Sequence, residues 1–425
     1  MKRFILFLIA LATCAATLSA ETEDTRQIII SPDFHTLKVQ NPEAFLAPPT
    51  ITLSGDDRIT ISFDEFTSDR SYLCCSLYHC NADWQPSALL EQEYADGFNK
   101  AYIDDVGFSR TTFRQYVNYH ITVPSEDVKP LVSGNYLLKV YPEDDPEDIL
   151  LQARFCVNED IVPITGEASI HTDRGSDGTL QQLDLDIDTR SLQGVDLYSE
   201  IIVVVQQNSD PNTRTITTRP FRVGQGKVLY RHNPDLIFRS GNEWRRFETV
   251  RANYPGMHVD STRYNGDCYV AYLTPDEGLA DKPYLYDQTQ FGRFIIDEYN
   301  SSDPDLGADY IDTEFTLDFP RVMNARIYLD GEFTNHLLLD EYELNYDTYS
   351  HTYRATVPLK QGSYNYRYVA VPTDESGNAC GKPNPRLTEG DKAETTNEYL
   401  VQVFLRKHGS RADRLVGETT IYTSL

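Results

Sequence analysis

Short runs of β-branched and aromatic residues, bounded by Gly, Pro, Asp or Asn, recur along the whole chain. Clear examples are residues 58–63 (RITISF), 135–141 (NYLLKVY), 200–207 (EIIVVVQQ) and 267–273 (DCYVAYL). Runs of this composition and length predict β-strands. Apolar residues at the three-and-four spacing of an amphipathic helix are nearly absent. We therefore predict an all-β protein with two to three immunoglobulin-like β-sandwich domains in tandem.

The strand pattern falls into three blocks. We predict an N-terminal β-sandwich domain at 32–158, a middle β-rich domain at 160–300, a C-terminal immunoglobulin-like domain at 305–407 and a tail at 408–425. The third block begins after the acidic, Pro-containing stretch 300–310 (NSSDPDLGADY), and residues 303–314 (DPDLGADYIDTE) are predicted to be a solvated linker. The runs SGNYLLKVY and QGSYNYRYVAV share the order Gly, any residue, Tyr, which predicts a similar late strand in the first and last domains.

The first twenty residues have the organisation of a targeting segment. Two basic residues precede an apolar run, and the segment ends in small residues, so residues 1–20 are predicted to be a secretory signal peptide. A lipid anchor on Cys14 is the alternative, but Thr13 is larger than the residue usual before a modified cysteine. No later segment approaches the roughly 20 apolar residues of a membrane helix, so we predict an exported chain with no direct membrane span.

The charge of the chain is strongly acidic. Removing residues 1–20 takes away two of the 38 basic residues and none of the 65 acidic ones, which leaves 36 against 65 and a net charge of −29. Such a field repels nucleic acid and anionic lipid, so no nucleic-acid partner is expected. It permits a basic protein partner, and a solvated acidic surface is the simpler interpretation.

The cysteines are few for an exported chain of this length. Six remain after residue 20, and their even number in an oxidising compartment permits disulfides without specifying their pairing. We expect packing rather than cross-linking to carry most of the stability. The six are Cys74, Cys75, Cys80, Cys156, Cys268 and Cys380.

The segment SYLCCSLYHCNADWQPS, residues 71–87, concentrates side chains that could carry chemistry. As a strand it places Cys74 and Cys80 on one face, roughly 20 Å apart, which excludes a shared metal or a mutual disulfide. His79 lies on the opposite face and has no local nucleophile to activate. The sequence NADW predicts a turn after the strand, with Trp84 largely buried over the end of the sheet.

Motifs of known enzyme chemistry are incomplete. The adjacent carboxylates Asp276 and Glu277 would serve a glycosidase only if folding placed two carboxylates across a sugar cleft. Residues 303–314 have acidic side chains at positions one, three and twelve of a calcium loop, but Ala308 replaces the glycine required for its turn. We therefore predict no catalytic residue, no metal site, no cofactor and no small-molecule substrate.

Several motifs, in order along the chain, resemble the plug proteins of the type IX secretion system. They are YHCNADWQPSALLEQEYADGF, SRTTFRQYVNYHITVP and SGNYLLKVY, followed by RSGNEWRRFET, YNGDCYVAYL, ADYIDTEFTL and SRADRLVG. The matching residues are interpreted as structural rather than as contacts. They are Tyr78, His79, Cys80, Asp83, Trp84, Pro86, Ser87, Tyr94, Gly97, Phe98, Gly134, Asn135 and Tyr136.

This resemblance implies a periplasmic protein on the inner side of the outer membrane. Its partner would be a large β-barrel translocon of the SprA type, whose periplasmic mouth it would close by docking, without catalysis. The resemblance does not indicate which loops enter the pore.

Two other functions compete with this one. The third block is similar to the early-set immunoglobulin-like modules of starch-acting enzymes, through its GEF turn and its GSYNYRY strand, and this implies a glycan-binding protein of the periplasm or cell surface. His336 and Leu337 stand where those modules have a tryptophan, and Tyr342, Tyr346 and Tyr349 are expected to serve the sheet and its turns. A secreted cargo of the same export system ranks below both.

Overall fold

The structure, a computed structural model, describes residues 24–175 and 178–423. The predicted signal peptide and Cys14 lie outside the described residues. The prediction of an all-β protein is confirmed, because strands make up nearly all of the regular structure and form several sheets. Within the described ranges, two one-turn α-helices and five short 3₁₀ segments connect the strands.

The strands and helices follow one another along the chain in this order: β1 Ile28–Ile29, β2 Phe34–Gln40, β3 Thr50–Thr52, β4 Ile59–Glu65, β5 Leu73–Cys80, α1 Glu91–Tyr94, β6 Ala101–Tyr102, β7 Asp105–Phe108, β8 Val117–Val123, β9 Gly134–Pro142, β10 Leu151–Asn158, β11 Ile164–Ser169, β12 Leu180–Asp188, β13 Ile201–Gln207, β14 Thr215–Thr217, β15 Arg222–Gly224, β16 Lys227–Tyr230, β17 Ile237–Arg239, β18 Arg245–Glu248, β19 Val259–Tyr264, β20 Tyr269–Leu273, β21 Asp276–Glu277, β22 Phe294–Ile296, α2 Pro304–Gly307, β23 Tyr310–Asp318, β24 Ala325–Asp330, β25 Glu343–Asp347, β26 Thr352–Lys360, β27 Gly362–Pro372, β28 Glu398–Leu405 and β29 Arg414–Tyr422. The 3₁₀ segments are Pro211–Thr213, Pro234–Leu236, Glu332–Thr334, Asp340–Tyr342 and Pro385–Leu387.

The first hydrophobic core lies between two sheets. One sheet has the order β1-β10-β9-β5-β6, with β3 added in parallel to β10, and the other has the order β2-β4-β8-β7. Alternate residues of these strands point inward, as in Ile59, Ile61 and Phe63 of β4, which are fully buried. We call this cluster of side chains, between residues 34 and 157, the first core.

The second core is assembled from two distant stretches of chain. One of its sheets has the order β11-β12-β16-β15 with β17 beside β12, and the other has the order β14-β13-β28-β29. The central pair of the second sheet is β13 against β28, with Ile201 opposite Leu405. Residues 399–421 therefore share one buried cluster with residues 162–238.

The third core is enclosed by one sheet of ten strands. Its path is β18-β27-β24-β25-β26-β23-β20-β19, with β21 beside β23 and β22 beside β27. The long strands β23, β26 and β27 supply most of the buried aromatic side chains, including Phe315, Tyr353 and Tyr364. This sheet is formed entirely by the chain between β17 and β28, so the third core interrupts the second.

The division of the chain among the three cores does not coincide with the expected domain boundaries. Strands β18 to β22, inside the expected middle domain 160–300, belong to the ten-stranded sheet. Strand β28, inside the expected domain 305–407, and β29, inside the expected tail 408–425, belong to the second core. The local strand pattern does not reveal this arrangement, because β28 pairs with β13 across some 190 residues, most of which form the third core.

Candidate functional site

Two of the motif strands lie side by side in the first core. Strand β5 pairs with β9 so that His79 lies opposite Tyr136, and Cys80 opposite Asn135. His79 is buried, its Nε2 lies 3.1 Å from the carbonyl oxygen of Ser133, and Tyr136 meets its ring edge-on at 5.1 Å. Burial lowers the pKa of His79, which favours a neutral imidazole.

Gly134 is required by the same contact. Its φ of +144° is unfavourable for other residues, and a Cβ atom there would lie 2.3 Å from Nε2 of His79. The absence of a side chain at Gly134 in the GNY motif therefore leaves room for the ring of His79 in the YHC motif, and packing accounts for both residues.

The cysteines of the described residues are all free thiols. Cys74 and Cys80 lie in the single strand β5, as predicted. Burial raises the pKa of Cys75 and of Cys156 to about 12, so both stay protonated and unreactive at neutral pH.

The expected burial of Trp84 is wrong. Trp84 is only partly buried, and the guanidinium carbon of Arg154 lies 4.2 Å from its ring centroid. Trp84 lies within a turn in which Asp83 Oδ1 accepts a hydrogen bond from the backbone N–H of Gln85. Its indole packs against a small cluster between the first and second cores, which includes Phe404, so it covers this junction rather than the end of the first sheet.

The remaining motif residues divide between interior and surface. Tyr94 is buried, and its carbonyl oxygen accepts a hydrogen bond from the hydroxyl of Tyr136. Gly97 has a φ of +79°, and the ring of Phe98 beside it is 96% exposed. Others at the surface are Tyr78, Asp83 and Pro86, with Ser87 partly buried. The motif thus marks a folding unit with one conspicuous exposed ring.

A buried ion pair joins the first core to the third. Lys360 Nζ lies 2.7 Å from Oδ2 of Asp64, and the two side chains are 1% and 0% exposed. The hydroxyl of Tyr310 donates to the same oxygen at 2.7 Å, and the side-chain amide of Asn118 donates to Oδ1 at 2.7 Å. Burial lowers the pKa of Lys360, and the carboxylate of Asp64 opposes this effect.

The predicted solvated linker 303–314 is wrong, because this segment forms part of the same junction and continues into β23. Asp305 in α2 lies 2.5 Å from Lys38 Nζ, and its carbonyl oxygen accepts from Lys360 at 2.7 Å. Asp309 is 7% exposed and accepts hydrogen bonds from the backbone N–H groups of Phe113 and Arg114. Asp305 and Asp309 therefore bind a lysine and backbone N–H groups of the first core.

A second buried network joins the second core to the third. Arg367 bridges two carboxylates, at 2.5 Å to Asp210 and 2.7 Å to Asp330. His336 Nδ1 lies 2.9 Å from Asp330, and Trp244 covers the guanidinium at 4.4 Å. Burial opposes the charge of Asp330, but Arg367 and His336 outweigh it and hold the pKa of that carboxyl well below its usual range.

The ligand atoms of Asp210, Asp330 and His336 lie within 4.8 Å of one another, a spacing that could suit a metal ion. Arg367 already contacts both carboxylates and supplies the positive charge that an ion would bring. The arrangement is therefore best explained as an ion-pair network that fixes two cores to each other.

The first and second cores are joined by a third set of contacts. The side chain of Asp413, 1% exposed, accepts from the backbone N–H of Ala82 at 2.9 Å and pairs with Arg406 at 2.6 Å. Arg414 pairs with Glu159 at 2.5 Å. Each of the three cores is thus attached to the other two by buried charged groups.

The residues considered for catalysis and sugar binding are engaged elsewhere. Asp276 accepts from the hydroxyls of Tyr366 and Tyr368 and pairs with Arg245 at 2.8 Å. Glu277 is exposed and pairs with Lys282. Of the three tyrosines weighed for sugar binding, Tyr342 and Tyr346 pack against the third core, whereas Tyr349 is 94% exposed.

The network around His336 should make stability depend on pH. Burial opposes the charged imidazole, but the carboxylates of Asp330 and Asp210 raise the pKa of His336 above its usual value. A raised pKa contributes stability below the unfolded value of about 6.5, and this contribution disappears as pH rises through the folded value. At the acid end, the lowered pKa of Asp330 contributes stability above its unfolded value of about 3.9.

We therefore expect the native chain to be more stable than a His336→Asn variant, and we expect this difference in stability to be largest between about pH 4 and 6.5. Asn tolerates the φ of 55° at this position, so the backbone is preserved. Thermal unfolding of both proteins from pH 4 to pH 9, followed by circular dichroism, checks this. A difference that stays constant over that range would show that His336 is not charged in the folded protein.

Comparisons with known proteins complete the description. A family model described as the type 9 secretion system plug protein 1st domain matches residues 34–159. The chain is also similar to a hypothetical protein from Parabacteroides merdae ATCC 43184, whose crystal structure was solved at 2.30 Å resolution. The two share 34% sequence identity and a TM-score of 0.90 over 94% of this chain and 100% of that chain.

A structure of dimeric latent PorU from Porphyromonas gingivalis aligns with a TM-score of 0.13 and 9% identity over 92% of this chain and 34% of that chain, which is too low to carry an argument. No curated protein sequence matches the chain.

Proposed function

The chain belongs to the plug protein family of the type IX secretion system, and from this membership we propose that it closes the outer-membrane translocon of that system by docking. The barrel would be of the SprA type, and the chain would cover its periplasmic mouth without catalysis. The matched family gives the chain a role in type IX secretion. The site of action and the absence of chemistry are proposed.

The observation that carries this proposal is the locking of the three cores. A body that closes a wide pore must resist deformation, because even about 16 to 18 strands leave an aqueous channel that one layer of side chains cannot fill. Lys360 with Asp64 and Arg367 with its two carboxylates hold the third core against both others. Buried ion pairs tolerate little displacement, since separating the partners leaves a charge without compensation.

The state of the polar groups also supports docking rather than turnover. The carboxylates of Asp64, Asp276 and Asp330, of which the first and last are buried, each face a cation and a further hydrogen-bond donor. Groups paired in this way serve structure, whereas a general acid or base must be free to exchange a proton with substrate.

Among residues 24–175 and 178–423, no helix is long and apolar enough to cross a membrane.

Deletion of the gene in the native host tests the proposal. We expect the translocon to remain assembled while the outer membrane becomes permeable to solutes that normally cannot cross, because the pore has lost its cover. Uptake of a large fluorescent probe or sensitivity to a large antibiotic measures this. Expression of the native chain, or of a control carrying Lys282→Met at an exposed ion pair, should restore the barrier.

An intact barrier in the deletion strain with an open translocon would contradict the proposal. So would loss of sealing by a Glu277→Gln variant that folds and still binds the translocon, because Glu277 has no role in this account beyond its exposed pair with Lys282.

A further inference from the structure

A cleft of about 630 Å³ lies where the first core meets the third. Residues 110–113 of the first core form one wall, and residues 251–253 and 298–303 form the other. Four aromatic rings at or beside its rim are between 50% and 64% exposed: Phe113, Tyr254, Tyr264 and Tyr299. Phe113 packs at 5.1 Å against Tyr264 and at 5.5 Å against Tyr269.

The cleft offers hydrogen-bond donors that the protein itself does not use. Arg251 lies flat over the ring of Tyr299 at 3.4 Å, and among the described residues no acceptor is hydrogen bonded to its guanidinium. Arg110 comes no closer than 4.0 Å to Asp303 and has a side chain that is 70% exposed. Two guanidinium groups at one cleft therefore remain available to a ligand.

Two of the three acidic groups that line the cleft are already engaged. Asp309 accepts from the backbone N–H groups of Phe113, Arg114 and Tyr310. Glu298 accepts from the backbone and side-chain N–H groups of Asn300. The third, Asp303, has only its 4.0 Å contact with Arg110, so two guanidinium groups face one unengaged carboxylate and the unused hydrogen-bonding capacity is mainly cationic.

The walls are also held in place before any ligand arrives. The backbone N–H of Arg110 donates to the carbonyl oxygen of Leu306 at 2.8 Å, and Arg114 pairs with Asp312 at 3.5 Å. Together with the bonds to Asp309, these contacts attach the first-core wall to the third core. A preformed surface loses little conformational entropy on binding, which favours affinity.

We propose that this arginine–aromatic cleft is the surface that docks on the translocon, and that it receives a carboxylate-bearing segment of the barrel. Exposed Tyr, Phe and Arg side chains are the residue types that dominate the binding energy of protein interfaces. Guanidinium groups bind carboxylates through paired hydrogen bonds. This inference rests on the proposed function and names the surface that performs it.

The overall negative charge does not prevent such docking. At physiological ionic strength, charges separated by more than about 8 Å are largely screened, so the groups inside the cleft decide the contact. The distant acidic surface instead slows the approach of an acidic partner and leaves the final contact to Arg110 and Arg251. The cleft exists only while the first and third cores stay locked, which links docking to the ion pair of Lys360.

Affinity of the purified full chain for purified translocon, measured by biolayer interferometry, tests the inference. We expect the double variant Arg110→Glu, Arg251→Glu to bind at least about tenfold more weakly, because each substitution sets a carboxylate against the partner's carboxylates. Phe113→Ala should also weaken binding. The matched control is Arg222→Glu, at an exposed arginine beside the exposed Phe221 on the second core. Circular dichroism confirms that each variant is folded.

The outcomes separate this surface from the proposed function. Weaker binding by both cleft variants with a normal control supports the inference. Binding by the native chain that is unchanged in the cleft variants would overturn this surface and leave the proposed function standing. No binding by the native chain would contradict the proposed function and this inference with it. A change of oligomeric state in the cleft variants would show that the cleft binds a second copy of the chain. Binding of chitohexaose by the native chain that is lost in Phe113→Ala would show that the cleft binds a glycan. Either result would overturn the inference.

Discussion

Replacing Lys360 with Met is expected to lower the free energy of unfolding by about 3 to 5 kcal/mol, the usual result of removing one partner from a buried ion pair. Methionine has nearly the length of lysine and fills most of its space, so the loss reports the charge rather than a cavity. The carboxylate of Asp64 would stay fully buried with only Tyr310 and Asn118 as donors. Thermal and urea unfolding followed by circular dichroism measures the effect.

The matched control is Lys282→Met, which removes an exposed lysine paired with Glu277 and should leave the unfolding midpoint unchanged. Adding Asp64→Asn to the Lys360 variant should recover part of the loss, because no unpaired charge then remains in the interior. An unfolding midpoint equal to that of the native chain would show that Asp64 and Lys360 are not paired in the folded protein.

Replacing Arg367 with Met is expected to be as damaging, again by about 3 to 5 kcal/mol, because two buried carboxylates lose their shared partner. Asp210 and Asp330 have side chains that are 2% and 4% exposed, so water cannot replace the guanidinium. His336 would remain beside Asp330 and compensate only one of the two charges. Unfolding in urea measures the loss.

The position of the damage distinguishes this variant from the previous one. Hydrogen exchange should increase in β24 and in the segment after β13, where Asp330 and Asp210 lie, while α2 and its contacts with the first core stay protected. Lys129→Met, at an exposed pair with Asp96, provides the control. Exchange that increases equally over all three cores would contradict a local junction and indicate general loss of packing.

Much of the fold follows from local sequence patterns. The runs near residues 58–63 and 200–207 lie in β4 and β13, and their alternating side chains build the first and second cores. Local patterns do not show which strands pair with each other. Strand β28 has the same kind of pattern as a strand of the third block, and nothing local shows that its partner is β13.

The junctions were missed because their residues have ordinary solvent-exposed roles in most sequences. Stretch 300–310 has the Asp, Ser and Pro of a linker, yet the carboxylate of Asp305 pairs with Lys38 and its carbonyl oxygen accepts from Lys360. Asp309 accepts from backbone N–H groups of the first core. The local pattern gives no signal here. Lys360 lies on the face of β26 that carries Arg354 and Thr356, opposite the side chains that fill the third core, and only contact with the first core buries it.

The motif residues show the same limit. His79, Gly134 and Tyr136 pack against one another within one sheet, and their interpretation as structural residues stays a prediction. Trp84 was expected inside the first domain, but its ring lies against a cluster shared with the second core. A position between two cores cannot be predicted from the pattern of one of them.

The central claim is that this chain, as one locked body, closes the type IX translocon by occupying its mouth. The most direct test is the conductance of the purified translocon in a planar bilayer, recorded before and after the mature chain is added to the periplasmic side. We predict a large conductance that falls to near the closed level as the native chain binds. When the Arg110→Glu, Arg251→Glu variant is added instead, we predict that the conductance stays large. A conductance unaffected by saturating native chain bound to the barrel would contradict the account.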